Sequence, residues 1–567
     1  MIEDRIKKLR DNFDKYKIDG YVVPKNDEFF SEYSEINRIK IISNFSGSAG
    51  IAIILKKKNY LFVDGRYTLQ AKIESGKNFT IISFDKIISC NLFKNLTLGI
   101  DSKLLTSSQV KSYFSKYCKI KIIDNNLIDK IKKIPLKINK PFYSLDNKIV
   151  GQNYLKKISN ISAYLRKKKV DYIFISAPEN VAWILNIRGY DNPNSPIPNC
   201  RLIINKTKKI YLISEKYKIK KLIKEKKINR KDVINPNNFQ SLVNSLEGNK
   251  FIIDKKSCSL FYEQIIKLKF KISDVEDPTY LFKALKNKNE INYMLKSHVL
   301  DGAALTKFLY WIKNINKKKI TEVDAQNKLE KFRKKNKDYL FPSFPTIAGS
   351  GPNGAIVHYR AKKNSCRVIN NSDILLCDSG GQYRYGTTDV TRTICFAKPS
   401  DEIKDIFTRV LKGHIAVANT NLNKINTGKT IDKRARKFLK IRGLDYAHGT
   451  GHGVGFFLNV HEGPQSISKL NNVKILEGMI LSNEPGYYRE NSFGIRIENL
   501  VYVKRKKNNL FFENLTLAPI DKDLINFKLL TKNEKNYLFS YHLNIYSKLS
   551  KYLNSMEKKW LVSHLII

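Results

Sequence analysis

DSGGQYRYGTTDVTRT (residues 378–393) and HGTGHGVGFFLNVHEGP (residues 448–464) are the two stretches from which the architecture of the C-terminal half can be inferred. Asp378 and Asp389 lie eleven residues apart, and β-branched residues surround the second acid. A Gly-Gly pair at 380 and 381 is typical of a tight turn, whereas β-branched residues are typical of strands. The pattern therefore predicts a β-hairpin that brings both carboxylates to one place.

One histidine and two further acids extend this pair: His452 in the second stretch, Glu484 in LSNEPGYY and Glu498 in FGIRIENLVYV. Acids in apolar, glycine-rich segments would repel one another, and their burial would be costly without a positive charge between them. A pair of metal ions is the simplest compensation. Because the donors are carboxylate oxygens and one imidazole, without a thiolate, they favour Mn²⁺ first and Co²⁺, Zn²⁺ or Fe²⁺ as alternatives.

These five positions resemble the two-metal site of the pita-bread metallopeptidases, and no ligand position departs from that pattern. The ligand pattern alone also fits methionine aminopeptidase and prolidase. Three further features resemble the aminopeptidase P (Xaa-Pro aminopeptidase) family of the long, three-domain type. They are FPSFPTIAGSGPNGAIVHYR ending at Arg360, the pair His448 and His461 on either side of His452, and LTLAPIDKDLI from Leu515.

The resemblance implies a role for each of the five residues. Asp389 and Glu498 would bridge the two ions, Asp378 would complete one ion, and His452 with Glu484 would complete the other. Two ions that share a water molecule lower its pKa toward neutrality, which generates a hydroxide without a strong organic base. Glu484 would act as the general base and pass a proton from the attacking water to the leaving nitrogen.

The resemblance also implies functions for three more histidines. His358 and His461 would line the site, bind substrate and stabilise the tetrahedral intermediate or move protons. His448 would lie near the pocket on the proline side. Arg496 lies two residues before Glu498, on the same face of one predicted strand, so we expect it to orient that carboxylate and to contribute to substrate binding.

The reaction implied is the release of the N-terminal residue from peptides whose second residue is proline. An alternative on the same fold is prolidase, which cleaves dipeptides; the length of the chain and its C-terminal extension argue against it. A second alternative is a catalytically inactive pita-bread module that binds proteins or nucleic acid. A third is a metal-free, creatinase-like hydrolase. Neither of these two requires the complete set of ligands found here.

At 567 residues the chain is longer than one ordinary domain. We expect creatinase-like α/β domains of related fold at residues 1–147 and 148–276, with a linker rich in Lys and Pro around Pro135 to Pro141. An α+β pita-bread catalytic domain should occupy residues 277–567, with a C-terminal extension from about 510 to 567. Within it, apolar periodicity predicts helices from about Glu402 to Thr420 and from Ile431 to Arg442.

Lys and Arg number 103 against 52 Asp and Glu, so the formal net charge is +51. Taken alone, this excess indicates a polyanionic partner such as nucleic acid. However, the excess is mostly Lys, spread through the chain beside abundant Ile and Asn, and a drift of genome composition produces the same signature. We therefore predict no specific nucleic-acid partner.

Seven cysteines occur singly, without the spacing of a disulfide framework, which is typical of a reduced, cytoplasmic protein. The N-terminal stretch MIEDRIKKLRDNFDK lacks the apolar core of a secretory signal, and no apolar run reaches about 18 residues. We therefore expect a cytoplasmic protein without a membrane span. The family resemblance further implies a homodimer.

Overall fold

The computed structural model describes residues 1–34, 36–88, 91–114, 118–132, 140–316 and 320–565. Most of the predicted linker around Pro135 to Pro141 lies outside the described residues, as does Cys90. The chain forms two compact units, Met1–Tyr280 and Leu281–Ile567. The division into three domains at residues 147 and 276 stays a prediction.

The first unit contains two six-stranded sheets and a small two-stranded one. Its strands are β1 (Gly20–Pro24), β2 (Ile51–Leu55), β3 (Asn59–Val63), β4 (Thr80–Ser83), β5 (Thr97–Ile100), β6 (Lys119–Ile122), β7 (Tyr143–Ser144), β8 (Tyr172–Ile175), β9 (Ile187–Arg188), β10 (Arg201–Asn205), β11 (Ile210–Ile213), β12 (Val233–Ile234), β13 (Lys250–Ile253) and β14 (Lys271–Asp274). The sheet orders are β4-β3-β2-β1-β5-β6, β12-β11-β10-β8-β13-β14 and β7-β9.

The two large sheets share one arrangement. From edge to edge, the pairings in each run parallel, antiparallel, antiparallel, parallel and parallel. This shared order agrees with two related α/β folds. The helices of this unit are α1 (Ile2–Arg10), α2 (Arg38–Ser43), α3 (Thr68–Ser75), α4 (Ser107–Tyr113), α5 (Leu127–Ile131), α6 (Asn147–Val150), α7 (Tyr154–Lys168), α8 (Pro178–Leu185), α9 (Lys220–Lys224), α10 (Phe239–Ser245) and α11 (Leu260–Lys267), and α12 (Thr279–Ala284) contains the boundary.

All strand pairings described in the second unit are antiparallel. Its strands are β15 (Tyr339–Pro342), β16 (Ile347–Ser350), β17 (Ile374–Ser379), β18 (Gly381–Tyr383), β19 (Gly386–Thr387), β20 (Val390–Cys395), β21 (Gly451–Gly453), β22 (Glu462–Ile467), β23 (Ile480–Asn483), β24 (Gly486–Arg489), β25 (Phe493–Arg496), β26 (Asn499–Lys506) and β27 (Asn509–Asn514). They form sheets in the orders β15-β18-β19, β16-β17-β20, β22-β21-β23-β26-β27 and β24-β25.

Helices cover these strands. They are α13 (Lys288–Asn314), α14 (Glu322–Lys334), α15 (Asp401–Ala418), α16 (Gly428–Lys440), α17 (Lys532–Leu549) and α18 (Ser555–Val562). A capping box between Asn287 and Glu290 begins α13, and apolar residues of that helix pack on β17 and β20 around Phe308 and Leu375. The arrangement agrees with the α+β architecture predicted for this part of the chain. Across the described helices, none combines the length and the apolar character needed to cross a membrane.

The hairpin that carries the two aspartates differs from the predicted one. Strand β17 pairs with β20, which sets Asp378 opposite Thr391, but the chain turns at residues 384 and 385, between β18 and β19. The prediction of a tight turn at the Gly-Gly pair is therefore wrong. A Cβ atom on Gly380 would overlap the carbonyl oxygen of Thr388, so this glycine permits a close approach of two backbones instead.

Candidate metal centre

The five predicted ligands lie at or beside the ends of strands in the second unit. Asp378 is on β17 and Asp389 immediately precedes β20; His452 is on β21, Glu484 follows β23, and Glu498 lies between β25 and β26. The pairing of β17 with β20, and of β21 with β23, fixes these positions relative to one another within each sheet. The backbone N–H of Glu498 donates to the carbonyl oxygen of Thr391 at 3.2 Å, which joins the two sheets at this point.

Three of the five side chains form a close cluster around His452. One donor atom each from Asp389, His452 and Glu498 lies within 4.8 Å of the other two. His452 Nε2 lies 3.4 Å from Asp389 Oδ2 and 3.5 Å from Glu484 Oε1, so Glu484 belongs to the same cluster. Asp378 is buried, and its Oδ1 atom has no hydrogen-bond partner in the described structure.

The negative charges of the carboxylates in this cluster repel one another. Burial and the charge of Asp389 raise the pKa of Asp378 to about 7, although Arg496 acts in the opposite direction. Burial and the charges of Asp389 and Glu484 hold the pKa of Glu498 well above its ordinary value. Without metal, therefore, some of these carboxyl groups would retain protons, and a bound cation would displace them.

His452 and Glu484 shift in the directions expected of an ion pair. Burial disfavours the charge of His452, but its hydrogen bond to Asp389 and the charge of Glu484 prevail and raise its pKa to about 9. Burial likewise acts to raise the pKa of Glu484, and the charge of His452 overcomes it and lowers that pKa. Without metal, the protonated His452 therefore supplies the positive charge that a bound metal ion would otherwise provide.

The donor set fits hard or borderline divalent ions. It offers four carboxylates and one imidazole, and Arg496 is the cationic side chain that pairs with one of the acids, at 2.7 Å from Asp378 Oδ2. His452 Nδ1 lies 2.9 Å from the carbonyl oxygen of Gly453, which directs the Nε2 atom toward the carboxylates. The unpartnered oxygen of Asp378 and the excess of negative charge are what a cation would compensate.

Arg496 contacts a different acid from the one predicted. Its ion pair is with Asp378. Among the described hydrogen bonds, the link to Glu498 runs through Thr391, whose Oγ1 atom accepts from Arg496 Nε at 3.1 Å and donates to Glu498 Oε2 at 2.7 Å. The prediction assumed that Arg496 and Glu498 lie on one face of one strand. In the structure β25 ends at Arg496, so strand alternation does not extend to Glu498.

His448 belongs to a hydrogen-bonded chain that ends at Arg496. Its Nδ1 atom lies 2.7 Å from the carbonyl oxygen of Gly449, and its Nε2 atom lies 2.8 Å from the hydroxyl of Tyr488. Arg496 donates to the same hydroxyl at 2.6 Å. Burial lowers the pKa of His448 to about 4, so this imidazole is neutral at physiological pH.

The two remaining predicted histidines lie in different relations to the cluster. The ring of His461 meets the ring of His452 edge to face, with 4.2 Å between centroids. His358 is half-buried, and the carbonyl oxygen of the preceding residue, Val357, accepts from Arg496 at 3.5 Å. The structure thus brings His461 against the cluster and the backbone beside His358 against Arg496; their catalytic roles stay predictions.

Several supporting residues were not predicted from the sequence. Besides Thr391 and Tyr488, Ser482 accepts from the backbone N–H of His452 at 2.9 Å and donates to Glu484 Oε1 at 3.1 Å. His414, to which the sequence assigned no role, lies 3.1 Å from the carbonyl oxygen of Asn483. Ser482 lies on β23, two residues before Glu484, and this spacing was the available signal, because residues two apart share a face of an extended segment.

Comparison with protein-family models assigns residues 5–132, 133–290, 292–505 and 508–564 to related families. The model of metallopeptidase family M24 matches residues 292–505, and that of the C-terminal region of peptidase M24 matches residues 508–564. Two models of the creatinase/prolidase N-terminal domain match residues 5–132 and 133–290. The fold and the acidic cluster therefore define a metallopeptidase of family M24 with creatinase-like N-terminal domains.

Individual relatives narrow this class. Probable Xaa-Pro aminopeptidase P from Laccaria bicolor is 38% identical, over 98% of this chain and 92% of the relative. That from Coprinopsis cinerea is 35% identical, over 98% and 96%. The crystal structure of X-prolyl aminopeptidase from Caenorhabditis elegans, described as a cytosolic enzyme with a di-nuclear active site, superposes with a TM-score of 0.92 at 28% identity and covers 100% of this chain and 99% of that one. This chain belongs to the Xaa-Pro aminopeptidase P family.

Family membership settles three predictions made from the sequence. The resemblance to aminopeptidase P is confirmed, as is the fold class of related creatinase-like α/β domains followed by a pita-bread catalytic domain. The prediction of an enzyme is confirmed as well.

Proposed function

We propose that this chain is an aminopeptidase that hydrolyses the bond between an N-terminal residue and a proline in second position. The observation that carries the proposal is the convergence of Asp389, His452, Glu484 and Glu498 on one buried cluster beside Asp378. The names of the relatives point to the same substrate class. The M24 family provides the reaction class, hydrolysis of peptide bonds by a metalloenzyme.

The cofactor proposed is a pair of divalent ions, with Mn²⁺ first and Zn²⁺ or Co²⁺ as alternatives. The residues that would hold it are Asp378, Asp389, His452, Glu484 and Glu498. When bound, such ions lower the pKa of a water molecule and polarise the scissile carbonyl group. The di-nuclear site described for the Caenorhabditis elegans enzyme supports two ions rather than one.

The proton transfers are assigned to this chain's own residues. Glu484 is ionised, because the charge of His452 lowers its pKa, and it accepts a proton from the attacking water. It then passes the proton to the leaving nitrogen. His461, against the ring of His452, donates a hydrogen bond to the oxyanion of the tetrahedral intermediate, and His358 assists from the segment beside Arg496.

The substrate side is assigned to His448 and Arg496. A proline in second position has no N–H before cleavage, and its ring fixes φ, so it needs a dedicated, preformed pocket. The chain from His448 through Tyr488 to Arg496 provides a rigid wall of neutral and positively charged groups beside Asp378. Proline packs against apolar and neutral surfaces, which a buried, uncharged His448 provides.

Three broader features are proposed on the same basis. The enzyme acts in the cytoplasm, as the Caenorhabditis elegans relative does. It works as a homodimer, with no membrane and no specific nucleic-acid partner. Its chain comprises three domains, at residues 1–147, 148–276 and 277–567, of which about 510–567 form the C-terminal extension.

The runner-up activity is prolidase, and the non-catalytic alternative is a binding module that uses the same cleft.

The deciding experiment compares three substrates with one enzyme preparation. The protein is freed of metal by chelation, reloaded with Mn²⁺ or Zn²⁺, and incubated with Xaa-Pro-Yaa, Xaa-Ala-Yaa and the dipeptide Xaa-Pro. Metal-dependent release of Xaa from the first peptide alone supports the proposal. Cleavage of the dipeptide alone would identify a prolidase, and no metal-dependent cleavage of any substrate would favour the binding module. Asp389→Asn serves as the inactive control.

A further inference from the structure

Arg392 is a buried guanidinium three residues after Asp389, and it faces neutral acceptors on every side. The side chain is 2% exposed. In the described structure, no carboxylate oxygen accepts a hydrogen bond from it. Arg392 Nε donates to the carbonyl of Pro519 at 3.0 Å. One terminal nitrogen donates to the carbonyls of Thr391 (2.8 Å) and Glu498 (2.7 Å). The other donates to Asn499 Oδ1 (2.8 Å), the carbonyl of Ala518 (2.7 Å) and the hydroxyl of Tyr541 (3.0 Å).

One side of this arginine contacts the segments that follow Asp389 and contain Glu498, two of the proposed metal ligands. The terminal nitrogen that binds the carbonyl of Glu498 also binds the carbonyl of Thr391, to which the Glu498 N–H donates. The Thr391 hydroxyl in turn donates to the carboxylate of Glu498. Both the main chain and the side chain of Glu498 are thus held against β20, the strand that follows Asp389.

The other side of Arg392 is held by the C-terminal region, residues 508–564. Tyr541 on α17 is buried, and its hydroxyl accepts from the backbone N–H of Ala518 at 3.3 Å and lies 2.9 Å from the carbonyl of Ala518. It also lies 3.2 Å from Asn499 Oδ1, the residue next to Glu498. The guanidinium group of Arg392 therefore links the segments beside Asp389 and Glu498 to residues 518–519 and to α17.

A charge buried among neutral acceptors is costly, and the cost is offset only when all these acceptors are in place. Removal of one acceptor leaves the guanidinium with fewer contacts on that side and loosens the remaining ones, because the planar group orients its acceptors together. Metal-bridging carboxylates tolerate little displacement, since binding requires their oxygens at defined distances from both ions.

We propose that Arg392 is a positioning residue for Asp389 and Glu498, and that Tyr541 of the C-terminal region holds it in place. The C-terminal region then contributes to metal binding without supplying a ligand. The inference rests on the proposed function, because it takes Asp389 and Glu498 as ligands of the metal pair.

The test is a titration of metal-free protein with Mn²⁺, followed by calorimetry. Tyr541→Phe removes one hydroxyl and keeps the ring, and we expect it to weaken Mn²⁺ binding about tenfold, the usual effect of losing a group that orients a ligand. Tyr537→Phe is the matched control. Tyr537 lies one turn earlier on α17, accepts from Asn514 at 3.0 Å and makes no hydrogen bond with Arg392 in the described structure. Its removal should leave Mn²⁺ affinity unchanged.

A second variant tests the arginine itself. Arg392→Lys keeps the charge but loses the fork, and we expect weaker Mn²⁺ binding than in Tyr541→Phe. If Arg392→Lys does not fold, the pair of tyrosine variants decides. Unchanged affinity in Tyr541→Phe would overturn the inference, and so would an equal loss in Tyr537→Phe, since that would indicate general loosening of α17. Absence of Mn²⁺ binding by the unaltered protein would overturn the proposed function, and this inference with it.

Discussion

His461 is the side chain whose proposed role can be separated most cleanly from metal binding. Its ring touches that of His452, 4.2 Å away between centroids, but it is not one of the five proposed ligands. We predict that His461→Gln lowers kcat for an Xaa-Pro-Yaa peptide by roughly 10²-fold, as for other lost oxyanion donors. Steady-state kinetics and metal analysis check this together. A loss of bound metal, or a change confined to KM, would contradict the role assigned to His461.

The sequence was sufficient to predict which side chains would form the candidate metal centre, but not which residues would form ion pairs and hydrogen bonds with one another. The carboxylates and His452 could be inferred because their types and their apolar context require a cation. The pairing of Arg496 with Asp378 could not, because it depends on where β25 ends and on which strand faces it. The role of Tyr488 was not predicted for a related reason, because its hydroxyl contacts His448, which lies forty positions earlier in the sequence.

Strand β21 carries His452 between two glycines that leave no room for a side chain. A Cβ atom on Gly451 would overlap the carbonyl oxygen of Ser482 on β23. We predict that Gly451→Ala separates β21 from β23, shifts His452 and weakens Mn²⁺ binding by about tenfold or more. Calorimetric titration of the metal-free variant measures this.

The control for that variant is Gly463→Ala, because a Cβ atom at Gly463 would meet nothing within 4 Å. Its Mn²⁺ affinity should match that of the unaltered protein. Equal affinities in Gly451→Ala and Gly463→Ala would show that the contact between β21 and β23 does not position His452.

Helix α17 buries His542, which accepts a hydrogen bond from the backbone N–H of Ile520 at 3.1 Å. Burial, with smaller contributions from His564 and Arg392, lowers its pKa to about 3, against 6.5 in a model compound. Below pH 6.5 the unfolded chain therefore binds a proton at His542 that the folded chain does not bind. The contribution of neutral His542 to the free energy of unfolding is complete above pH 6.5 and is lost as pH falls toward 3.

The corresponding prediction compares the unaltered protein with His542→Gln. Between pH 6 and pH 5, the unaltered protein should lose about 1.2 kcal/mol more stability than the variant, because His542 is mostly protonated in the unfolded chain over this range and neutral in the folded one. Thermal unfolding midpoints across this range provide the measurement. Midpoints that fall in parallel for both proteins would mean that His542 is not held neutral in the folded state.

Among whole elements, helix existence was predictable and turn position was not. The helix predicted from Glu402 to Thr420 occupies Asp401–Ala418. The next begins at Gly428, three residues before the predicted start, because Thr427 caps it through Thr430. The turn of the aspartate hairpin was misplaced because glycine signals both turns and close backbone contacts, and sequence alone does not separate the two at Gly380.

For the molecule as a whole, metal and stability should be linked. The raised pKa values of Asp378 and Glu498 show that burial and mutual repulsion disfavour their charged forms without a cation. We predict that chelation lowers the thermal unfolding midpoint and that Mn²⁺ at a hundred times its Kd restores about 2.7 kcal/mol. Scanning calorimetry with and without chelator checks this. Asp389→Asn should respond less, and an equal response would place the stabilising metal elsewhere.

The architecture of the whole chain could be anticipated only in part. Related α/β folds in the N-terminal and middle regions were expected, and the two six-stranded sheets do share one order of strand directions. The chain forms two compact units, and contacts within residues 1–280 join both sheets into one of them. The hydrogen bond from Arg201 to the carbonyl oxygen of Glu28 is one such contact, and no local pattern in the sequence predicts it.

Diffraction from crystals of the Mn²⁺-loaded protein, recorded at the manganese absorption edge, tests the central claim most directly. We predict two anomalous peaks among Asp378, Asp389, His452, Glu484 and Glu498, with Asp389 and Glu498 touching both. A single peak there, or manganese bound only elsewhere on the chain, would contradict a two-metal centre.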